Sequence, residues 1–440
     1  MGTELMADTP TGELARRGLR LRWIMFSYVF SFAMLAYLQR TSVSVAAEDM
    51  LPALHLSVVQ LGWLNAAFTT AYAMFQLPGG ALGQKYGARP TFIVIGVIGL
   101  IATLGTPLFP AVLSGTTLFI ALLATQFLLG FGQAPVFPTL ATLAERWFPV
   151  RQFGLVNGLS ASGMLLGGAL TAPLIVGLTA SWGWQGALLW TALPAAVITL
   201  IWTLDGRSAP AEHPRIQAAE LAELDSTPET QPLTWARLWR VARNRNVLLL
   251  AVSYLCFNYV FYLITFWSFL YLVRDRGFSG LESGMMAMLP WLGAAVGAAI
   301  GGILTDRLAT RLGPTRGYRL LPLLSLPLAA VMLFLTPTVD GHYLAVAALV
   351  LAFFAIEINE GPFWAATMSV ARADTGAATG VLNTGGNVGG IIAQPIAAAL
   401  AATGAWMQVW LSGAAFALLA VVLWLFVRAE PDDSLSAEHP

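Results

Sequence analysis

The sequence has little charge and no excess of either sign. Only 10% of its 440 residues are Asp, Glu, Lys or Arg, whereas soluble domains carry about 25%. Acidic and basic residues number 23 each, so no net charge points to nucleic acid as a partner. Hydrophobic residues make up 57% of the chain, and we therefore expect its solvent to be mostly lipid.

Cysteine and histidine are also scarce. The single cysteine, Cys256, excludes disulfides, CxxC redox pairs and thiolate metal sites within one chain. The four histidines lack metal-ligand spacing, and the sequence contains no GxxxxGK[ST] phosphate loop. No nucleophile–base pair is apparent. We expect neither a cofactor nor catalysis.

In place of charged residues, the sequence has many long apolar runs. A helix needs about 20 apolar residues to cross the hydrocarbon, and these runs do not alternate as barrel strands do. We predict an all-α membrane protein with twelve transmembrane helices in two pseudo-symmetric six-helix halves. The predicted spans are 23–47, 58–82, 90–110, 115–144, 153–180, 185–204, 247–273, 282–304, 318–337, 343–371, 376–402 and 405–428.

Basic residues orient these spans. With the N-terminus inside, 20 of the 23 basic residues fall on the inner side, whereas Arg274 and Arg276 lie outside and Arg40 lies in the membrane. The first run is too long for a signal peptide, so we expect it to be retained in a bacterial inner membrane, with both termini cytoplasmic. The predicted divisions are a tail (1–22), a six-helix half (23–205), a cytoplasmic linker (206–245), a second half (246–428) and a tail (429–440).

The two halves repeat one another. The segment "GGALGQK" (79–85) after span 2 matches "GGILTDR" (301–307) after span 8 at an offset of 222 residues. In spans 4 and 10, "QAP" (133–135) matches "EGP" (360–362) at an offset of 227 residues. Shared glycine patterns can reflect helix packing alone, but a nearly constant offset favours duplication. Parallel repeats predict a binding site between the halves near mid-membrane.

The chain resembles the major facilitator superfamily over essentially its full length, and within it the anion:cation symporter family. The superfamily's loop motif has its counterpart at "GALGQKYGAR" (80–89), and the second copy keeps the acid, Asp306. The resemblance implies uptake of a small organic anion driven by H+ or Na+, with Arg40 holding the substrate carboxylate, and we expect a monomer. The family-like stretches are "YLQRTSVSVAA", "GQAPVFPTLATLAERWFP", "WSFLYLVRDRGFS", "GPFWAATMS" and "GVLNTGGNVGG".

The two copies of the loop motif predict a gate. We expect Asp306 to latch the helices of the second half on the cytoplasmic side and Gln84 to do so more weakly, because one copy keeps the acid and the other has lost it. The predicted gating residues are Gln84, Lys85, Arg89, Asp306 and Arg307.

Three positions depart from the family pattern. Members often carry an acid where this chain has Gln39, and an arginine and a glutamate where span 4 has Gln126 and Gln133. The usual second cation and the usual proton-binding acids are therefore missing.

Arg40 lies in an apolar run with no acid within seven residues on either side. An arginine at the centre of a membrane helix costs about 2.5–3.5 kcal/mol on insertion scales, and its guanidinium offers a fork that matches a carboxylate. We predict that Arg40 binds the substrate, with Tyr37 and Ser44 on the same helical face. The alternative is a buried ion pair with Glu357 or Glu360, and the two arrangements can alternate.

Polar stripes in other spans complete the predicted substrate site. Spacings of three, four or seven residues place the members of a stripe on one helical face. Interhelical hydrogen bonding and aromatic packing are the alternatives. The predicted members are Asn65, Thr69 and Tyr72 in span 2, Gln126 and Gln133 in span 4, Tyr254, Asn258 and Tyr262 in span 7, Trp364 in span 10, and Asn383 and Asn387 in span 11.

Glu357 and Glu360 are the only acids well inside a span. Because glutamine cannot titrate, we predict that proton coupling runs through Glu360, with Glu357 as the second candidate. Glu360 also corresponds to Gln133 in the first repeat, so the duplicated scaffold could have moved the acid to the other half.

Together these patterns predict a secondary transporter of a small organic anion, a sugar acid or other carboxylate, that works by alternating access with proton symport. Three alternatives stay open. One is an uncoupled facilitator of a monocarboxylate, another is a multidrug efflux carrier in which Arg40 is purely structural, and the third is a sensor that kept the fold.

Overall fold

The computed structural model describes residues 11–149, 152–222, 224 and 235–430. Arg151, the ends of both predicted tails and residues 225–234 of the predicted linker lie outside the described residues. Helices make up most of the described chain: α1 (Thr11–Ala53), α2 (Val58–Tyr86), α3 (Ala88–Leu108), α4 (Gly115–Gln133), α5 (Val136–Trp147), α6 (Phe153–Asp205), α7 (Ala218–Ala222), α8 (Trp235–Ala242), α9 (Arg245–Arg274), α10 (Gly280–Leu312), α11 (Pro314–Thr338), α12 (His342–Glu357), α13 (Glu360–Ala371), α14 (Thr375–Ala402) and α15 (Trp406–Trp424).

Twelve membrane crossings can be traced through these helices. Ten stretches of the described chain are long and apolar enough to span a bilayer. One of them contains two crossings, because α6 bends at Gly183, where the positive φ of 68° interrupts the helix. The remaining crossing is α2, which is 29 residues long and carries the polar stripe that lowers its hydropathy. The prediction of an all-α membrane fold with twelve helices is confirmed.

Two of the crossings are broken near their middle. In the first half α4 ends at Gln133 and α5 begins at Val136, with Pro135 between them. In the second half α12 ends at Glu357 and α13 begins at Glu360. The Asn359 amide donates to the carbonyls of Ala355 (2.7 Å) and Ile356 (3.1 Å), so the break leaves these polar groups satisfied. The broken crossing thus places one glutamate at each of the two helix ends that it creates.

Glycines of the repeated loop motif let α2 and α10 approach these breaks. A side chain on Gly79 would meet the ring of Pro135 at 3.0 Å, and one on Gly301 would overlap the carbonyl of Ile358. The two glycines occupy matching positions of the repeat. Close packing of each broken crossing on its neighbour therefore depends on the absence of a side chain there.

The halves pack closely at the end of the bundle far from the linker. A side chain on Gly62 of α2 would overlap Ala398 of α14, and one on Gly284 would lie 2.8 Å from the backbone of Pro173. Across the same end, Arg274 Nε donates to Glu48 Oε2 at 2.7 Å. The two six-helix halves therefore meet tightly at this end.

The described part of the linker docks on the first half. Arg22 Nε donates to Glu220 Oε1 at 3.0 Å, and both side chains are buried. Nearby, Arg215 Nη2 lies 2.6 Å from Asp205 Oδ1, and the His213 ring is buried against Trp147. These contacts hold the described part of the linker against α1 and α6.

Candidate substrate site between the two halves

Arg40 of α1 lies in a box of aromatic rings. The guanidinium carbon is 4.3 Å from the ring centre of Tyr37, 4.9 Å from that of Phe68 and 4.6 Å from that of Tyr72. The Arg40 residue is only 2% exposed. Each such contact is worth about 0.5–2 kcal/mol when desolvated, so the rings offset part of the cost of holding a cation in the membrane.

One edge of the guanidinium has no hydrogen-bond partner among the described residues. Arg40 Nε and Nη2 are buried and make no hydrogen bond within the described chain. In the same part of the chain, no carboxylate lies within the 4.0 Å of an ion pair with Arg40, so the alternative pairing with Glu357 or Glu360 is not formed in this structure. These two N–H groups point side by side, which is the geometry that binds a carboxylate through both of its oxygens.

The polar stripe of α2 is buried within the protein. Ser44 Oγ donates to Asn65 Oδ1 at 3.3 Å, and Thr69 Oγ1 donates to the carbonyl of Asn65 at 3.1 Å. Asn65, Thr69 and Tyr72 are all buried, and Asn65 Nδ2 has no partner among the described residues. The stripe therefore lines the Arg40 side of the interface between the halves.

A chain of hydrogen bonds crosses from the second half to the first. Tyr262 OH donates to Asn387 Oδ1 at 3.1 Å, and Asn387 Nδ2 donates to Gln76 Oε1 at 2.6 Å. The Tyr262 ring stacks on Phe266, which in turn contacts Phe68 of the aromatic box. This bridge brings two predicted site residues of the second half next to the predicted site on α1 and α2. Asn383, one turn before Asn387, is half-buried.

Glu360 and Glu357 occupy different surroundings although they are only one turn apart. Glu360 Oε1 accepts from Tyr254 OH at 3.0 Å and from Trp364 Nε1 at 2.7 Å. Glu357 is 3% exposed and accepts no hydrogen bond within the described chain. The Asn258 amide is turned to the carbonyl of Tyr254, at 3.1 Å. The structure thus groups Tyr254, Trp364 and Glu360.

Gln126 and Gln133 lie away from this group. Gln133 Nε2 donates to Gln39 Oε1 at 3.4 Å, and both side chains line a small cavity with Gly96, Gly99 and Thr199 inside the first half. Gln126 lines a second cavity there with Gln39 and Thr103. Both glutamines are therefore placed in the interior of the six-helix bundle, among α1, α3, α4 and α6.

The predicted gating residues are mostly exposed. Arg89 Nη2 donates to the carbonyl of Thr203 at 3.0 Å, which ties α3 to the end of α6 within one half. Asp306 lies in the last turns of α10, and no basic group within the described chain comes within 4.0 Å of its carboxylate. Gln84, Lys85 and Arg307 are exposed as well. In this conformation no ion-pair latch forms at Asp306 within the part of the chain that the structure describes.

Phe68 was not among the predicted site residues, since a phenylalanine in an apolar run is ordinarily packing. Its position was the available signal: Phe68 is four residues before Tyr72 and three after Asn65, so it shares their helical face. Gln76 is the fourth member of the polar stripe that the spacing of Asn65, Thr69 and Tyr72 predicts. It is not among the predicted substrate-binding residues, and the structure shows it as the acceptor of the bridge.

Comparisons with known proteins agree with this architecture. The family model of the Major Facilitator Superfamily matches residues 29–393. The chain is 30% identical over 379 residues to the probable sulfoacetate transporter SauU of Cupriavidus necator, covering 84% of this chain and 85% of that protein. It is 27% identical to the probable galactarate/D-glucarate transporter GarP of Escherichia coli K12, with 77% and 79% covered.

A solved structure shows the same fold at low identity. It is the crystal structure of a bacterial homolog to the human lysosomal transporter Spinster in an inward-facing and unoccupied conformation. The TM-score is 0.73 at 16% sequence identity, with 92% of this chain and 97% of that chain covered. The expectation of a transporter with no enzymatic role is confirmed, and the chain belongs to the Major Facilitator Superfamily.

Proposed function

We propose that the protein is a secondary transporter of a small organic anion, which it moves by alternating access between its two halves. The observation that carries this proposal is the unpartnered edge of Arg40, buried in an aromatic box where the halves meet. A buried donor without a partner costs about 1–3 kcal/mol, and more when it is charged. A bound anion removes that cost.

The substrate class follows from the donors and from the relatives. Arg40 offers two parallel N–H groups to two oxygens, and carboxylates and sulfonates both present such a pair. Relatives are named as transporters of sulfoacetate and of galactarate or D-glucarate. A sugar acid or another small carboxylate fits the site, with Asn65 Nδ2 free to donate to a hydroxyl group.

We infer that uptake is coupled to protons through the Glu357–Glu360 pair. Each negative charge entering an inside-negative cell works against about 2.3 kcal/mol per 100 mV, so accumulation of an anion needs a co-transported cation. In this arrangement the protein lies in a bacterial inner membrane with its linker end cytoplasmic, as the basic residues indicate.

Two other functions are weighed against this one. A multidrug efflux carrier in which Arg40 is structural needs an acid partner for Arg40, and the described chain provides none in this conformation. An uncoupled facilitator has the same substrate site but lacks a response to a proton gradient, so transport measurements separate it from a symporter.

The test is uptake into proteoliposomes with sulfoacetate, D-glucarate and a short monocarboxylate as probes, with and without an inwardly directed proton gradient. We expect accumulation of at least one probe with the gradient and its loss in Arg40→Ala. The control is Arg316→Ala, which removes an exposed arginine and leaves uptake unchanged. Wild-type uptake in Arg40→Ala contradicts the substrate site, and equilibration without accumulation identifies a facilitator.

A further inference from the structure

We propose that Glu357 carries the transported proton and that Glu360, one turn away, remains an anion throughout the cycle. This reverses the order expected from the sequence, and it rests on the proposed function only for the direction in which the proton moves. The assignment itself follows from three features of the broken crossing.

The first feature is the helix end at which each glutamate lies. Glu360 is the first residue of α13 and Glu357 is the last residue of α12. A helix carries about half a positive charge at its N-terminus and half a negative charge at its C-terminus, and each is worth about 0.3–1 kcal/mol to a nearby charge. The break therefore favours an anion at Glu360 and opposes one at Glu357.

The second feature is the supply of hydrogen-bond donors. Glu360 accepts from Trp364 Nε1, which can only donate, and from Tyr254 OH, which donates when the carboxyl group is ionised. The carboxyl group of Glu357 accepts from no donor within the described chain. Glu357 is only 3% exposed, although its carboxyl oxygens are not fully enclosed. A largely buried carboxylate without protein donors is costly, and taking up a proton removes the charge.

The third feature is the set of charged and titratable groups that face Glu357. Glu360 of α13 repels its charged form, while Tyr254 of α9 and Tyr37 of α1 are neutral neighbours that interact with it electrostatically. The charged side chains of α10 and α11 lie near the ends of those helices, at Glu282, Asp306, Arg307, Arg311, Arg316 and Arg319. Two carboxyl groups this close share one proton readily, and the surroundings assign that proton to Glu357.

The location of Glu357 connects the proton to the substrate. The charges of Glu357 and Arg40 both act on the Tyr37 hydroxyl, and the Tyr37 ring is one wall of the Arg40 box. In the proton step, a hydronium ion transfers H+ to the Glu357 carboxylate from the water on the side of the membrane to which the site is open. One O–H bond of the hydronium ion breaks, one forms on the carboxylate, and a water molecule is left. Release on the other side reverses that step. No oxidant, reductant or metal enters the balance.

Infrared spectroscopy of the protein in lipid tests the assignment without a substrate. A protonated carboxylic acid has a carbonyl stretch that is separate from the bands of the ionised form. At neutral pH we expect this band in wild type, its loss in Glu357→Gln and its persistence in Glu360→Gln, which is the matched control one turn away. Glu357→Asp should keep a shifted band, which shows that loss in Glu357→Gln is not misfolding.

The assignment is overturned if the band is missing from wild type, survives in Glu357→Gln, or disappears in Glu360→Gln alone. In proteoliposomes, Glu357→Gln should abolish gradient-driven accumulation of the transported probe while exchange of that probe stays within about twofold of wild type. If the band behaves as expected but no probe is transported, the proposed function fails and the proton assignment stands.

Discussion

The hydrogen-bonded bridge from Tyr262 through Asn387 to Gln76 gives the sharpest stability prediction. Replacing Asn387 by Leu removes both bonds and leaves two buried partners, Tyr262 OH and Gln76 Oε1, without hydrogen bonds. Each orphaned group costs about 1–3 kcal/mol. Asn387→Leu should therefore lower the free energy of unfolding by about 2–6 kcal/mol, since two groups are orphaned.

A second variant, Gln76→Met, completes a double-mutant cycle with Asn387→Leu. It keeps the length of the Gln76 side chain and removes its polar atoms. Alone, it orphans Asn387 Nδ2, and we expect a cost of about 1–3 kcal/mol. In the double variant the Gln76 oxygen no longer needs a partner. The Asn387 amide is also gone, so the double variant leaves only Tyr262 OH without a partner. The two effects should then be non-additive by about 2–6 kcal/mol, with the double variant more stable than the sum of the single effects predicts.

The assay is chemical unfolding in mixed micelles at fixed composition, with each variant compared with wild type. Asn383→Leu is the matched control, because Asn383 lies one turn away on the same helix and makes no hydrogen bond within the described chain. We expect its effect to be within about 0.5 kcal/mol. The reasoning is refuted if Asn383→Leu costs as much as Asn387→Leu, or if the effects of Gln76→Met and Asn387→Leu simply add.

Three further predictions concern other parts of the molecule. Arg40→Lys keeps the charge but loses one of two parallel charged hydrogen bonds, worth about 1.5–3 kcal/mol, so probe affinity measured by calorimetry should fall about 10- to 150-fold; unchanged affinity contradicts the site. Gln84→Asp and Asp306→Asn should each shift the distribution of distances between the halves in spin-label measurements, and no shift in either variant removes the proposed gate. Burial lowers the pKa of His213 from its ordinary 6.5, more than the neighbouring Asp205 raises it. The neutral ring is therefore favoured in the docked linker, and docking should weaken as the pH falls below 6.5. We expect hydrogen exchange of residues 206–222 to rise as the pH falls, and His213→Gln should abolish this rise.

The sequence by itself determined the membrane fold. Composition, run length and the distribution of basic residues act locally along the chain: each segment must satisfy its own backbone in lipid, and each loop must stay on its side of the membrane. The duplication was also visible, because the loop motifs after α2 and α10 keep their spacing. Arg40 could be singled out for the same reason, since a lone cation in an apolar run is costly wherever its helix packs.

Only the tertiary structure decided what each polar face meets. Gln126 and Gln133 share a helical face, as their spacing requires, but that face turns into the first half rather than toward Arg40. Helical periodicity determines which side chains share a face. It does not determine which helix that face contacts, because that contact depends on packing across the whole bundle. The same holds for the two glutamates: their spacing of three residues is the same in any helix, whereas the break at Asn359 puts them at helix ends of opposite charge.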